Sequence, residues 1–317
     1  MRRRTLMSAG IAAAAASVAL ARQAQGAQMA RATGQGDASP PGPQPSDGGQ
    51  GVAANTRRRV GIALGSGSAH GLAHIGMLRA LERTGLRPDV IAGTSAGAIA
   101  GVLFAAGLEP AEIEAVVQGL GWRNSGRLTW PVSGLMSNAP LQRRIDRAVG
   151  HRRIEALPLR FGAVASNVMD GSRVLLRSGA VGPAVGASSS VPVIFEPVRI
   201  DGVDLVDGSL TEPVPVDSAR AMGADFVIAV DIAYRPHDER PVGMADMAFQ
   251  AMHILINALI AEQVRRADFT VRIELHHLMH GDWTVQTMID EGERAMRAAW
   301  PALRERLRSA RFEVPRN

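Results

Sequence analysis

Asp89-Val90-Ile91-Ala92-Gly93-Thr94-Ser95-Ala96-Gly97-Ala98 is the stretch on which the reading of this chain turns. A short apolar run leads into Gly-x-Ser-x-Gly, and an Ala-rich apolar stretch, residues 98–106, follows with Gly107 as its stop. Strand, tight turn, helix is the setting of a nucleophile elbow. Glycines at 93 and 97 let the backbone bend sharply with no Cβ in the way. Ser95 would then project its hydroxyl from the top of a sheet, beside a helix N-terminus that favours developing negative charge. The motif occurs once; in a chain with 34 glycines, a plain Gly-rich strand-to-helix turn is the competing reading.

Upstream, Arg59-Val60-Gly61-Ile62-Ala63-Leu64 reads as a buried strand. Gly65-Ser66-Gly67-Ser68-Ala69-His70-Gly71 follows, and then Leu72, Ile75, Met77-Leu78 and Leu81 recur at helical spacing. A loop of small residues between strand and helix turns its N–H groups in one direction, which suits a bound phosphate or a transient oxyanion. The rival is a dinucleotide-binding Gly-x-Gly-x-x-Gly loop. It fits poorly, because His70 stands where the third glycine belongs and the second strand runs into Gly93-Thr94-Ser95 instead of ending on a ribose-binding acid.

Downstream, residues 190–209 read as a turn, a strand, a hairpin around Asp201-Gly202, and a return strand ending on Asp207-Gly208. An Asp beside a Gly is most often a turn former, yet a serine nucleophile needs a base and a carboxylate at a strand end can supply it. Asp170-Gly171 and Asp201-Gly202 look like plain hairpin turns. His276, His277 and His280, after the apolar run 269–275, could complete a Ser–Asp–His triad, or be ordinary polar loop residues. His74, four residues after His70, has no acidic or Cys partners nearby in sequence, so packing or capping is expected of it and no metal site is.

Taken in this order, the three segments resemble the patatin-like phospholipase family, and in particular its small, single-domain bacterial members. The Gly-rich loop, Gly-x-Ser-x-Gly, the stretch Val191-Pro192-Val193-Ile194-Phe195-Glu196-Pro197 and the closing Asp207-Gly208 carry the likeness, which extends over roughly residues 58–275. The resemblance implies a three-layer α/β/α fold with a mostly parallel central sheet. It implies a Ser–Asp dyad, with Ser95 as nucleophile and Asp207 as base, and an oxyanion hole formed by main-chain N–H groups of Gly67, Ser68 and Ala96. Gly65, Gly71, Gly93, Gly97 and Gly208 match the family's motif glycines. No cofactor or metal is implied, and the substrate expected is a phospholipid or lysophospholipid. Two positions depart from the family pattern: His70 stands where Arg or Lys is usual, and Ser209 follows Asp207-Gly208 where Gly or Ala is usual. A catalytically silent lipid-binding or scaffold protein of the same fold is the alternative from another functional class.

The remaining sequence divides into three. Residues 1–26 read as a signal peptide, with three arginines at positions 2–4, an uncharged small-residue stretch over 9–21 and small-residue cleavage sites near 19–26. The arginines followed by Thr5-Leu6-Met7 resemble a twin-arginine signal, so export to the periplasm or the medium is expected. Residues 27–56 form a Gly/Pro-rich linker without large apolar residues over 34–51, a composition that cannot bury enough surface to order itself. Residues 57–317 suffice for one α/β domain, and their apolar runs alternate with helical patterns. There is no cysteine, so packing alone must hold the fold.

Every basic residue apart from the eight histidines is arginine, and the net charge of +5 resides mainly in the first 31 residues. With no basic stripe and one tyrosine, nucleic-acid binding is not expected. The pairs and triplets at 57–59, 143–144 and 152–153 could meet an anionic lipid surface in a peripheral membrane contact, although solvated surface charge accounts for them equally. Residues 244–259 read as an apolar helix, for which burial against the sheet is expected over an interfacial role. Residues 122–136 form an irregular apolar loop, a candidate lid.

Overall fold

The computed structural model describes residues 57–118, 126–128, 134–232, 241–275 and 284–315. The expected signal peptide and linker, the histidines at 276, 277 and 280, and most of the candidate lid lie outside the described residues.

The first strand, β1 (Val60–Leu64), is followed by a 3-10 turn (Ser68–Gly71) and helix α1 (Leu72–Arg83). Strand β2 (Val90–Thr94) leads through Ser95 into α2 (Ala96–Ala105) and then α3 (Pro110–Gln118). Two short strands, β3 (Arg127–Leu128) and β4 (Gly134–Ser137), precede α4 (Ala139–Ala148). Next come β5 (Arg160–Asn167), β6 (Arg173–Leu176) and α5 (Val181–Ser188). Strands β7 (Val193–Phe195), β8 (Val198–Ile200) and β9 (Val203–Asp207) follow, then α6 (Val216–Ala221) and β10 (Phe226–Asp231). The chain continues with α7 (Met244–Gln263), β11 (Phe269–Arg272) and α8 (Val285–Ser309).

Among the described residues the central sheet has eight strands, ordered β11-β10-β1-β2-β5-β9-β8, with β6 also paired to β5. The five from β11 to β5 are mutually parallel, and β9 and β6 run antiparallel to β5. Parallel strands buried on both faces need apolar residues at every position, and β1, β2 and β10 are buried throughout. Side chains alternate between the two faces. Ile62, Leu64, Ile91, Ile228 and Val230 pack with Leu78, Leu103 and Leu307 of α1, α2 and α8. The opposite face carries smaller residues, Ala63, Ala92 and Ala229, which meet Val216 and Ala219 of α6 and Ile260 at the end of α7. The architecture is thus α/β/α with a mostly parallel sheet, although its β9 side is antiparallel.

The β5 strand organises the centre. β2 pairs with its residues 160–164, and β9 with residues 165–167. β6 pairs with residues 163–166, overlapping both, so it must occupy the other edge. The edge shared by β2 and β9 therefore holds two strands head to head: Thr94 pairs with Val164, and Asp207 with the next residue, Ala165.

Two sequence expectations change. Asp170-Gly171 and Asp201-Gly202 are exposed hairpin turns, as read, but α7 is not buried against the sheet. Met244 is 92% exposed, Met247 57%, Ile254 56% and Leu255 68%. An apolar composition on nearly all sides cannot say which side meets water, and here the second layer of the domain holds the helix through Ile256 and Ile260 in its C-terminal half. The described part of the 122–136 loop is not irregular either: β3 and β4 join β7 in a second, three-stranded sheet.

Candidate active site

Ser95 lies between β2 and α2 with φ 53° and ψ −117°. That is left-handed territory for a residue with a side chain, and it costs about 1–3 kcal/mol that neighbouring structure must hold in place. The turn is tight enough to exclude a side chain at the next glycine. A Cβ on Gly97 would stand 2.1 Å from the Leu64 carbonyl oxygen. Gly93 and Gly71 are likewise packed, on Ala98 and Ala96.

A buried serine holds the elbow. The Ser95 N–H donates to Ser188 Oγ at 2.9 Å, and that hydroxyl donates in turn to the Val164 carbonyl at 2.6 Å. Two residues on, the Ser190 carbonyl accepts the Asp207 N–H at 2.9 Å. One short segment, residues 188–190, therefore ties down both ends of the β2–β9 junction. Asn138 fixes this segment, donating to Gly186 O at 2.8 Å and to Ser190 Oγ at 2.9 Å. The sequence reading missed these residues, since nothing in a Gly-Ala-Ser-Ser-Ser run distinguishes a tether from a linker.

Asp207 ends β9 with 1% of its surface exposed. Its Oδ1 accepts the Ser209 N–H at 2.8 Å. Burial pushes the carboxyl above the usual carboxylate range, opposed by bonds from the Ser209 N–H and from the hydroxyls of Ser95 and Ser209. The Ser95 hydroxyl and the Asp207 carboxylate thus face the same cleft, with the hydroxyl near enough to draw the acid's pKa down, although they lie more than a hundred residues apart in sequence. Gly208 permits the meeting: a Cβ there would fall 2.1 Å from the Val164 carbonyl oxygen and 3.1 Å from Thr94 Cγ2.

Behind the acid, Glu212 is buried and takes the Ser218 N–H at 2.9 Å, the Ser218 hydroxyl, and Arg173 Nη1 at 3.2 Å. Desolvation pushes its carboxyl up despite these partners. Its carbonyl accepts the Thr94 hydroxyl at 2.8 Å, so the residue before Ser95 and the loop after Asp207 are joined a second time.

The Gly-rich loop reaches the same place. Gly65 donates to Val230 O at 3.1 Å, and its own carbonyl accepts His74 Nε2–H at 2.8 Å. Burial pulls His74 down to about 4, so it is neutral, and its role here is to pack beneath the loop. Ser68 adopts φ 48°, a second strained serine. The N–H groups of Gly67 and Ser68, and that of Ala96 at the start of α2, donate to no group of the described residues. First-turn N–H groups lack intrahelical partners.

Ser95, Ser68 and Ala69 sit where two clefts of about 350 Å³ each meet. One is walled by Leu72, Ile75, Ile99, Ala100, Leu141 and Phe195, with Gln118 and Ser189 among its polar members. The other contains Asp207, Ser66, Ser209 and His70, with Phe249, Met252, His253 and Ile256 of α7 across from them. Partial burial lowers the pKa of His253. The sequence offered no reason to single out this histidine within an apolar helix. Among the described residues, no group of three or more His, Asp or Glu side chains is disposed to hold a metal ion.

Known proteins were compared with this chain. It is 34% identical over 184 residues to an uncharacterized NTE family protein of Mycobacterium tuberculosis, covering 57% of this chain and 51% of that one. It is 30% identical over 193 residues to the lysophospholipase NTE1 of Saccharomyces cerevisiae, covering 59% of this chain and 11% of the yeast protein. The chain thus spans about half the length, or much less, of the curated relatives it matches. Among solved structures, VipD from Legionella pneumophila superposes with a TM-score of 0.46 at 14% identity, over 78% of this chain and 67% of VipD. Residues 62–220, from β1 through α6, match the patatin-like phospholipase family. That span contains the Gly-rich loop, the Ser95 elbow and Asp207, and on it the chain belongs to the patatin-like phospholipase family.

Proposed function

We propose that this chain is an exported serine acyl hydrolase that cleaves carboxylic esters of phospholipids or lysophospholipids through a Ser95–Asp207 dyad and an acyl-enzyme. The observation that carries the proposal is the meeting of β2 and β9 on adjacent registers of β5, which brings Ser95 and the buried Asp207 carboxyl into one cleft; burial raises that carboxyl's proton affinity. A carboxylate of ordinary pKa is a weak base for an alcohol, and raising it improves proton abstraction. Similarity to fungal lysophospholipases supports the substrate class. The N-terminal arginines and uncharged stretch support export.

In the first half-reaction Ser95 Oγ bonds to the ester carbonyl carbon while its proton passes to Asp207. The carbonyl oxygen takes the electron pair and faces the N–H groups of Gly67, Ser68 and Ala96. One such donor is worth about 3 kcal/mol of transition-state stabilisation. Collapse breaks the bond to the leaving alcohol, which takes the proton from Asp207. In the second half-reaction a water gives its proton to Asp207 and its oxygen to the acyl carbon. Collapse then releases the fatty acid, and the proton returns to Ser95 Oγ. Both clefts are mainly apolar; we assign the acyl chain to the one beside α2, and the alcohol portion to the one beneath α7, which contains Asp207.

The test is hydrolysis of a short p-nitrophenyl ester by wild type, Ser95→Ala, Asp207→Asn, His253→Ala and a variant with His276, His277 and His280 all replaced by Ala. The dyad predicts loss in the first two variants and survival in the histidine variants. Loss in a histidine variant, with the fold intact, would instead favour a triad. A wild type inert on every ester would favour a silent lipid-binding protein. Whole-cell lipid extract, followed by mass spectrometry of the released fatty acid, then identifies the lipid.

A further inference from the structure

Helix α7 is apolar on its outer face as well as its inner one. Its inward side carries Phe249, Met252, Ile256 and Ile260 together with the polar His253, Asn257 and Gln263. Gln263 is buried there, accepting Val214 N–H at 2.8 Å and donating to Thr211 O at 3.2 Å. The opposite side carries Met244, Met247, Ala248, Ala251, Ile254, Leu255 and Ala258, all exposed and spaced three or four apart. From Met247 through Ala261 the helix has no Asp, Glu or Arg at all, and Arg265 and Arg266 follow its end. A surface helix of a globular protein turns polar groups outward, and every exposed residue from Met247 to Ala258 is apolar instead. A contiguous apolar stripe rimmed by charged residues, here Glu262, Arg265 and Arg266, has the make-up of a docking surface.

We propose that the outer face of α7 lies in the headgroup–acyl boundary of a lipid bilayer and holds the Ser95 cleft against that surface. The identity of the occupant rests on the lipid-ester function proposed above. Two observations favour a bilayer over a second copy of the chain. First, the stripe from Met244 to Ala258 is about 22 Å long and about 10 Å wide, roughly 200 Å² of helix face against about 800 Å² per partner in a standard protein interface. It also lacks side-chain donors and acceptors, whereas such interfaces carry about ten hydrogen bonds. Second, the inward side of the same helix walls the cleft that contains Ser95 and Asp207. A lipid leaving the bilayer beside α7 would meet the site directly. A helix in the interface buries its apolar face about 5–10 Å deep and keeps its other face on the protein. The inward hydrogen bonds of Gln263 fit that arrangement and not a helix surrounded by lipid.

The test uses the full chain and two readouts: flotation with phosphatidylcholine–phosphatidylglycerol vesicles, and hydrolysis of a soluble p-nitrophenyl ester. Replacing Ile254→Glu and Leu255→Glu together should weaken vesicle binding by at least about 100-fold, because two large aliphatic side chains no longer enter the apolar phase. Ester hydrolysis should stay at the wild-type rate. Unchanged flotation in that variant, or no flotation of wild type, overturns the proposal. So does a wild-type dimer in sedimentation that the same pair dissolves. A second variant guards against misfolding. The chain has no cysteine, so Leu255→Cys can be labelled at one place with an environment-sensitive dye. Its emission should be that of water in buffer and shift to the blue with vesicles. Blue emission already in buffer means that another part of this chain, or a second copy, covers the face, and overturns the proposal. Vesicle binding without any ester hydrolysis would refute the proposed reaction and leave the docking surface standing.

Discussion

Ser188→Ala is the most informative single change, because it removes no catalytic group. Ser188 is fully buried, and its hydroxyl bridges the Ser95 N–H and the Val164 carbonyl. Without it, the Ser95 N–H is a buried donor with no acceptor, at a cost of about 1–3 kcal/mol. The Val164 carbonyl loses one partner but keeps a second lone pair, adding about 0.5–1.5 kcal/mol. The sum, about 2–4 kcal/mol, should lower Tm by roughly 5–15 °C in a domain of this size. The kinetic effect has another origin. Ser95 is held at φ 53° against its own preference, and losing the tether lets the elbow relax. A displacement of about 1 Å in a reacting group costs about 100-fold in rate. We expect kcat to fall about 10- to 100-fold with KM nearly unchanged, since neither cleft loses a wall residue. The assays are thermal unfolding and steady-state hydrolysis of a soluble ester. A variant that melts with wild type and turns over at the wild-type rate would refute the reasoning: the N–H would then have another acceptor and the strain another source.

Three more outcomes are expected. Asp207→Asn should abolish detectable ester hydrolysis yet stabilise the protein at neutral pH. Because burial raises the Asp207 pKa, its protonated form is the better tolerated one. The stability linked to that proton is complete below the unfolded-state pKa and is lost as pH rises through the folded-state pKa. The gain in Tm should therefore shrink as the buffer is made acidic. Activity has the opposite slope, so wild-type kcat/KM should rise with pH along a limb above the ordinary carboxylate range. Gly97→Ala should fail to accumulate as folded protein or lose more than about 3 kcal/mol, because its Cβ would stand 2.1 Å from a main-chain oxygen; a soluble, wild-type-like variant by circular dichroism would contradict the packing. Ala100→Leu narrows the apolar cleft one helical turn beyond Ser95, and should move the preferred p-nitrophenyl ester toward shorter acyl chains. An unaltered chain-length profile would take the acyl chain out of that cleft.

What could be read in advance follows from how local each constraint is. Gly93, Ser95 and Gly97 impose backbone geometry on their own neighbours, so strand, elbow and helix were legible from ten residues. The Gly-rich loop was legible for the same reason. Asp207 needed the hairpin pattern and the family resemblance, because its partner lies far along the chain. Ser188, Ser190 and Glu212 were not legible. Each matters only through a group brought near by the sheet, and serines in a Gly/Ala/Ser run or a Glu before a Pro carry no periodic signal. The orientation of α7 failed differently. A helix apolar on nearly every side reads as buried, and three inward polar residues among twenty could not reverse that without the neighbours in view.

The head-to-head arrangement of β2 and β9 on one edge of β5 bears on when the chain becomes competent. The strand and helix of the elbow lie within about the first hundred residues, but its tether Ser188 comes only with α5, and its acid only with β9. Contacts so distant in sequence close slowly. A nascent or partly assembled molecule would therefore carry an exposed alcohol with nothing to take its proton, and hydrolysis would begin only once adjacent registers on a single strand had been filled from opposite directions. Under the proposed dyad, turnover reports that β9 has docked beside the elbow, a convenient property for following refolding by rate alone.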